Sequence, residues 1–436
     1  MADDRVFDKC AWRLIPFIFV LYLINFIDRV NVGFAALTMN KDLGFSAAVY
    51  GFGGGVFFLG YSLFQIPANL ILEKVGARRW IFLILLVWGG FSASNALVTT
   101  PAQFYLVRIL LGIAEAGFFP GMVLYLTYWF PKSYRARLVA NFMLAIPFAN
   151  MVGGPVSGLI LGMDGVSGLH GWQWLFLIEG LPACIVALVV LALLPSTPNE
   201  AVWLSDEEKG AIAARLANED SSRHRHFWPA LRDVKVWALG FVYLGYSISY
   251  YGVQLWLPQI VQAMGFSNLA TSFLVALPFA ATMVAMFLWG RSSDASGERI
   301  WHVAIPALIA MGSLLVASAT ASNLVVFLAL SFAVISLMSL QGPFWSLPQS
   351  YLSGVAAAGG IAFINTIGTG AGGFIGPYVV GVLKEASGGY SLPMAVLAAA
   401  PAMTALVVLS LKRTVAAQPA PVFSSPVYGR GGPRSG

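Results

Sequence analysis

Five ionisable side chains stand inside long apolar runs: Asp28 and Arg29 in NFIDRVN, Arg108 and Glu115 in RILLGIAE, and Glu179 in FLIEGLP. Arg108 and Glu115 are seven apart, two helical turns along one face. They can face one cavity, but they are too far apart for a direct i,i+4 bridge. Asp28 and Arg29 are adjacent, so they point about 100° apart on a helix. A guanidinium suits a carboxylate because its planar fork donates two parallel hydrogen bonds. A carboxyl group taken out of water into an apolar cavity accepts a proton more readily than in water. Two acids and two guanidiniums are therefore parts for coupling an anion to protons. The plainer alternative for Arg108 and Glu115 is a buried pair that only fixes helix packing. For Glu179 the plainer alternative is a local cap or pair near the end of its helix.

A charge near the centre of a bilayer costs at least about 2.5–3.5 kcal/mol, and the chain around these residues is written for lipid. Of its 436 residues 58% are hydrophobic and 10% charged, against roughly 25% charged in a soluble domain. The mean hydropathy is +0.78. Apolar runs of near-spanning length occupy residues 12–37, 47–72, 79–98, 103–129, 138–162, 173–194, 236–262, 270–290, 300–319, 323–347, 355–383 and 391–411. They are continuous rather than alternating, which selects helices over barrel strands. The segment 195–235 is the longest polar stretch, with a short helix expected from Ser205 to Leu216, and it divides the runs into six and six. The expected organisation is an N-terminal half at 1–194, a linker at 195–235, a C-terminal half at 236–411 and a disordered tail at 412–436, rich in Pro, Gly and Ser.

The net charge of +6 could suggest nucleic acid, but its placement is a topology signal. With both termini in the cytoplasm, 21 of the 25 Lys and Arg fall on that side, and Lys41 and Lys384 alone on the other. This predicts a multi-pass inner-membrane protein with the bilayer as its partner and no nucleic acid. The first run lacks a cleavage site and reads as a retained helix. Cys10 and Cys184, one before a run and one within, do not make a disulfide framework.

The two halves repeat each other. Glu73-x-x-Gly76-x-Arg78 follows the second run and Asp294-x-x-Gly297-x-Arg299 follows the eighth. Gly154-Pro155 in the fifth run has its counterpart in Gly376-Pro377 of the eleventh, at nearly the same offset. Helix breakers flank the charges. Gly117, Pro120 and Gly121 follow Glu115, which predicts a bend there. Gly153-Gly154-Pro155-x-x-Gly158 and the glycines from Gly368 to Gly381 predict close-packed hinges. No run of the second half contains a charge. Its share of a central cavity would be neutral and aromatic, with Tyr250, Gln254, Gln341, Trp345 and Asn365 as candidates.

At these residues the chain resembles the major facilitator superfamily, and within it the anion:cation symporter branch. The resemblance covers roughly residues 12–412, most specifically NFIDRVNVGFA at 25–35, PANLILEKVGARRW at 67–80 and RILLGIAEAGFFPGMVLYLTYWFP at 108–131. It implies an all-α integral membrane fold of twelve spans in two six-helix halves. It implies that Arg29 binds a substrate carboxylate, that Asp28 and Glu115 bind protons, and that Arg108 pairs with the acid of its own helix. Tyr61, Trp345 and Asn365 match positions lining the central site. Glu73, Gly76 and Arg78 match the superfamily's gating loop, with Asn69 in place of its usual first Gly and Glu in place of Asp. Asp294, Gly297 and Arg299 are its repeat. The Gly-Pro element of the fifth run resembles an antiporter signature, so symport and exchange both stay open.

The expected function is proton-coupled uptake of a small organic carboxylate by a monomer with no cofactor. An exporter or exchanger is the nearest alternative. A carboxylate receptor would bind without transport. An intramembrane enzyme would need a metal or nucleophile cluster, whereas His170, His224, His226 and His302 all fall in or near loops. The pair His224-x-His226 has metal-like spacing but reads as part of a solvated basic run.

Overall fold

The computed structural model describes residues 2–131, 133–135, 138–139, 144–217, 232–351 and 355–415. The chain is all helical among these residues. The first three spans are Ala2–Asp42, Ala47–Val75 and Ala77–Ser94. The fourth is broken into Pro101–Glu115 and Phe118–Thr127. The fifth and sixth are Ala145–Leu161 and Gly171–Leu193. The seventh to ninth are Val234–Gln262, Asn268–Ser296 and Ile300–Ala319. The tenth is Asn323–Ser339 continued by Gln341–Tyr351. The eleventh runs through Val355–Asn365, a π-helical turn at Thr366–Gly372, and Gly373–Ser387. The twelfth is Ser391–Leu397 continued by Ala399–Val415, so the last helix outruns its expected end at 411. Residues 416–436 of the expected tail, and His224 and His226 of the linker, lie outside the described residues.

Local chemistry sets the helix ends. Ser46 accepts the Val49 N–H at 3.3 Å, and Ser267 accepts the Ala270 N–H at 3.2 Å. Thr100 and Gln103 form a reciprocal capping box at the start of the fourth span. The repeated loop glycines have a shared reason. Gly76 sits at φ 87° and Gly297 at φ 66°, in the left-handed region that a side chain resists. In the second copy Arg299 bridges Asp294 at 2.8 Å. The side chain of Glu73, its counterpart in the first copy, lies outside the description. Large apolar side chains face outward, Leu188 of the sixth span among them, as expected where the solvent is lipid.

The linker helix spans Asp206–Ala217, close to the expected Ser205–Leu216. It docks on the first half. Lys9 bridges Glu208 at 2.8 Å, and Trp203 stacks on Trp129 with ring centroids 5.7 Å apart. The Lys9 ammonium and the Ser205 N–H hold the Glu208 carboxyl below its ordinary range.

The halves meet in the middle of the bundle and at the end away from the termini. Tyr50 Oη donates to the Leu255 carbonyl at 2.9 Å, and Gln262 Nε2 to the Leu37 carbonyl at 3.2 Å. The Glu385 carboxylate accepts the Ala48 N–H at 2.9 Å, so one half caps a helix of the other. Small residues make this contact close. A Cβ on Gly51 would lie 2.6 Å from the Pro377 carbonyl oxygen, and one on Gly154 2.7 Å from that of Ser272. The expected packing of the fifth and eleventh spans is thus present, with the π turn as a further irregularity in the eleventh.

Within the first half the second and fourth spans are equally tight, since a Cβ on Gly112 would lie 2.1 Å from the Phe57 carbonyl oxygen. Gly112→Val is therefore expected to destabilise the protein by about 1–3 kcal/mol, read as a lowered thermal unfolding midpoint. Gly312→Ala, with nothing within 4 Å of the new Cβ, serves as the control. Equal midpoints for the two variants would contradict the packing.

Candidate functional site

The fourth span breaks where its acid stands. Glu115 ends the first segment, and Ala116 and Gly117 turn the chain before Phe118. A Cβ on Gly117 would lie 2.7 Å from that of Ala68, so this bend packs closely against the second span. The sequence-predicted bend is present.

The carboxyl of Glu115 meets Arg29 of the first span. Arg29 Nε donates to Glu115 Oε1 at 3.0 Å, Nη2 makes a short second bond to the same oxygen, and Asn25 Nδ2 adds a third at 2.6 Å. Asn25 and Arg29 are four apart on one helical face, which lets both reach a single carboxyl. Glu115 Oε2 is buried without a hydrogen-bond partner. The Arg29 guanidinium lies over the rings of Phe26, Phe57 and Tyr61, 4.9, 5.4 and 4.9 Å from their centroids. Tyr251 of the seventh span interacts with Arg29 from the other half, and its ring packs 4.2 Å from that of Phe58. Charge, acid and aromatic walls thus converge where the halves face each other.

Arg108 does not make the expected pair. Glu115 is taken by Arg29, and Arg108 Nε donates instead to the Gly53 carbonyl at 3.4 Å. Its guanidinium lies 4.9 Å from the Phe57 centroid, and Nη1 is buried without a hydrogen-bond partner. Two turns of helix put Arg108 on the same face as Glu115, but that rise of about 10 Å exceeds the reach of a direct bond. Asp28 and Glu115 act on it only through longer-range electrostatics.

Asp28 faces away from this pair, as adjacency on a helix requires. Trp88 Nε1 and Ser92 Oγ of the third span donate to it, and Asn31 Nδ2 adds a bond at 2.9 Å. Glu179 is not a local cap. It is 5% exposed and accepts from Ser157 Oγ of the fifth span at 2.8 Å.

The second-half candidates divide. Gln254 leaves the Arg29 pocket, because its Nε2 donates to Asn150 Oδ1 of the fifth span at 2.8 Å. Asn365 also spans the halves, donating to Gln65 Oε1 at 3.2 Å. Trp345 reaches the centre only through a ladder of rings along the seventh span. Its centroid is 4.9 Å from that of Tyr243, and the ladder continues through Tyr246 and Tyr250 to Tyr251. Gln341 donates to the Tyr246 hydroxyl, and the Tyr250 hydroxyl is buried without a hydrogen-bond partner. Sequence reasoning missed Asn25, Trp88, Ser92 and Tyr251. Only Asn25 had a signal in the sequence, its i,i+4 spacing to Arg29.

Comparison with known proteins fits this architecture. The family model of the Major Facilitator Superfamily matches residues 18–377. The chain belongs to this superfamily. It is 45% identical to a protein of Agrobacterium vitis named "Putative tartrate transporter", over 94% of this chain and 92% of that one. It is 40% identical to a "Quinolone resistance transporter" of Acinetobacter baumannii, over 88% of this chain and 90% of that one. A bacterial homologue of the human lysosomal transporter Spinster has the same fold, with a TM-score of 0.74 over 92% of this chain and 96% of that one at 18% identity. The chain is thus a multi-pass membrane transporter and not an enzyme.

In this transporter, removing one partner of the Arg29–Glu115 pair leaves the other as an uncompensated buried charge. Arg29→Met is expected to lose about 3–5 kcal/mol of stability at neutral pH. The double variant Arg29→Met/Glu115→Gln should lose clearly less, and acid should narrow the deficit of the single variant, because a protonated Glu115 needs no cation. Thermal unfolding of the wild type and these two variants at two pH values checks this, and a double variant no more stable than Arg29→Met would remove the coupling.

Proposed function

We propose that the transporter carries a small organic carboxylate together with protons. The observation that carries this reading is the occupancy of Arg29 by Glu115. Guanidinium and carboxylate are buried together, and the guanidinium is the natural ligand of a substrate carboxylate. An ionised Glu115 therefore competes with the anion for the same fork. A proton on Glu115 weakens its hold, and the incoming carboxylate then supplies the missing negative charge. Proton binding and anion binding favour one another by linkage, so affinity is highest in acid and falls as pH rises and Glu115 ionises.

Arg108 adds to this reading with a buried guanidinium nitrogen that has no hydrogen-bond partner, suited to a second acidic or hydroxyl group of the same substrate. Tyr61 and Tyr251 offer hydroxyls beside Arg29, and Trp345 and Asn365 stand further out, where they would limit substrate length. The relative named for tartrate supports a small carboxylate. Asp28 is assigned to proton binding with Glu115. Glu73, Gly76, Arg78, Asp294, Gly297 and Arg299 are assigned to the loops that change as the halves rock. The inner membrane, with both termini cytoplasmic, follows from the Lys and Arg asymmetry. A second reading, export or exchange, draws on the relative named for quinolone resistance.

The test uses L-tartrate as probe in proteoliposomes containing the full chain. An inward proton gradient is expected to drive accumulation, and Glu115→Gln to abolish accumulation while sparing exchange. Arg29→Lys keeps the charge and loses the fork, and should weaken binding roughly 10- to 100-fold, the worth of one or two charge-assisted hydrogen bonds. Accumulation indifferent to the gradient would remove proton coupling, and net outward flux on the same gradient would favour the exporter.

A further inference from the structure

The second and eleventh spans close the outer end of the bundle, away from the termini. Ala47, Gly51 and Gly55 stand four apart on one face of the second span, and Pro377, Gly381 and Glu385 four apart on one face of the eleventh. The two faces meet backbone to backbone. A Cβ on Gly51 would lie 2.6 Å from the Pro377 carbonyl oxygen, and one on Gly55 2.7 Å from that of Phe374. One on Gly381 would collide with the Ala47 carbonyl oxygen. The helices run antiparallel there, so the register carries Glu385 one turn beyond Gly381, to the first turn of the second span.

The N–H groups of a first turn find no acceptor inside their own helix. Ser46, just before the second span, accepts the Val49 N–H at 3.3 Å. The Ala48 N–H goes instead to Glu385 Oε2 at 2.9 Å, across the boundary between the halves. The carboxylate also brings a negative charge to the positive end of the helix dipole. The other hydrogen bonds that join the halves at this end run from Tyr50 to the Leu255 carbonyl, from Gln262 to the Leu37 carbonyl and from Asn40 to Gln259, all between neutral groups. Glu385 is exposed. Opening of the outer end therefore leaves it in water rather than as an unpaired buried charge, and the contact can part reversibly. Ser267 offers the contrast. It caps the eighth span at the Ala270 N–H, at 3.2 Å and wholly within the second half, so its bond survives any movement of one half against the other.

We propose that Glu385 is a clasp on the outer gate: it caps the second span of the opposite half only while the outer ends are together, and so weights the transporter toward the outer-closed state. The proposal rests on the reading above that the halves rock, and not on which substrate or ion they carry. A contact made in one state and absent from the other shifts their ratio by its full worth, whereas one present in both shifts nothing. The close backbone packing of Gly51, Gly55 and Gly381 brings the two helices near enough for the carboxylate to reach. The clasp then sets how often the Arg29 site is offered to the outside without touching that site.

Spin labels on Leu97→Cys and Ala321→Cys read the separation of the halves at their outer ends by double electron–electron resonance. Both positions are exposed, one following the third span and the other the ninth. The measurement uses the full chain in lipid, with Cys10 and Cys184 replaced by Ser and no transported substrate. Glu385→Ala is expected to raise the ratio of the long distance to the short by about 2- to 30-fold, the worth of one helix cap. Ser267→Ala removes a cap of the same kind within one half and should leave the ratio where it was. A ratio unmoved by Glu385→Ala, or moved equally by Ser267→Ala, would overturn the clasp. One and the same single distance in every variant would remove the clasp and the rocking together. Absence of L-tartrate transport with the ratio shifting as expected would sink the carboxylate reading alone.

Discussion

A guanidinium and a carboxylate that meet in a lipid-embedded bundle constrain everything around them. Arg29 and Glu115 are 86 residues apart in sequence and joined by hydrogen bonds. Either one alone would be a bare charge in a medium that penalises charge heavily. The first and fourth spans must therefore stay in register with each other. The break after Glu115 and the close approach of Gly117 to Ala68 fix where the acid stands. The three rings of Phe26, Phe57 and Tyr61 shield the guanidinium while leaving its attraction to π-faces intact. On the proposed reading, what remains adjustable is which anion the fork holds.

The scaffold was legible in the sequence because lipid imposes few solutions. A continuous apolar run has to be a helix, and Lys and Arg asymmetry orders the loops. The repeated glycines proved to be repeated backbone requirements, with Gly76 and Gly297 both at positive φ. The bend after Glu115 was legible for the same kind of reason, since Gly and Pro act on the backbone locally. Adjacency also told truly that Asp28 and Arg29 face different neighbours.

Pairing was not legible, because it depends on how helices distant in sequence are rotated against one another. Spacing put Arg108 and Glu115 on one face, and that was correct as far as it went. It could not say that Arg29 would reach Glu115 and leave Arg108 with a carbonyl and a ring. Gln254 illustrates the same limit. Its helix does border the centre, as Tyr251 shows, but three residues of rotation carry Gln254 to Asn150 instead. Trp88 and Ser92 lie in an apolar run with nothing to mark them, and they matter only because Asp28 arrives beside them.

The first span therefore has two polar faces with different exposure to the second half. Asn25 and Arg29 look toward the fourth span and, through Tyr251, toward the other half. Asp28 and Asn31 look toward the third and sixth spans, inside the first half. Relative motion of the halves changes the surroundings of the first face directly, because Tyr251 moves with the seventh span. It reaches the second face only if the first helix itself rotates or tilts. On the proposed reading a proton bound at Glu115 is sensitive to substrate and to the state of the cavity, whereas the surroundings of Asp28 follow the orientation of a single helix. A helix whose adjacent residues hold both contacts cannot turn to favour one without disturbing the other, which physically couples the surroundings of Asp28 to those of Arg29 and Glu115.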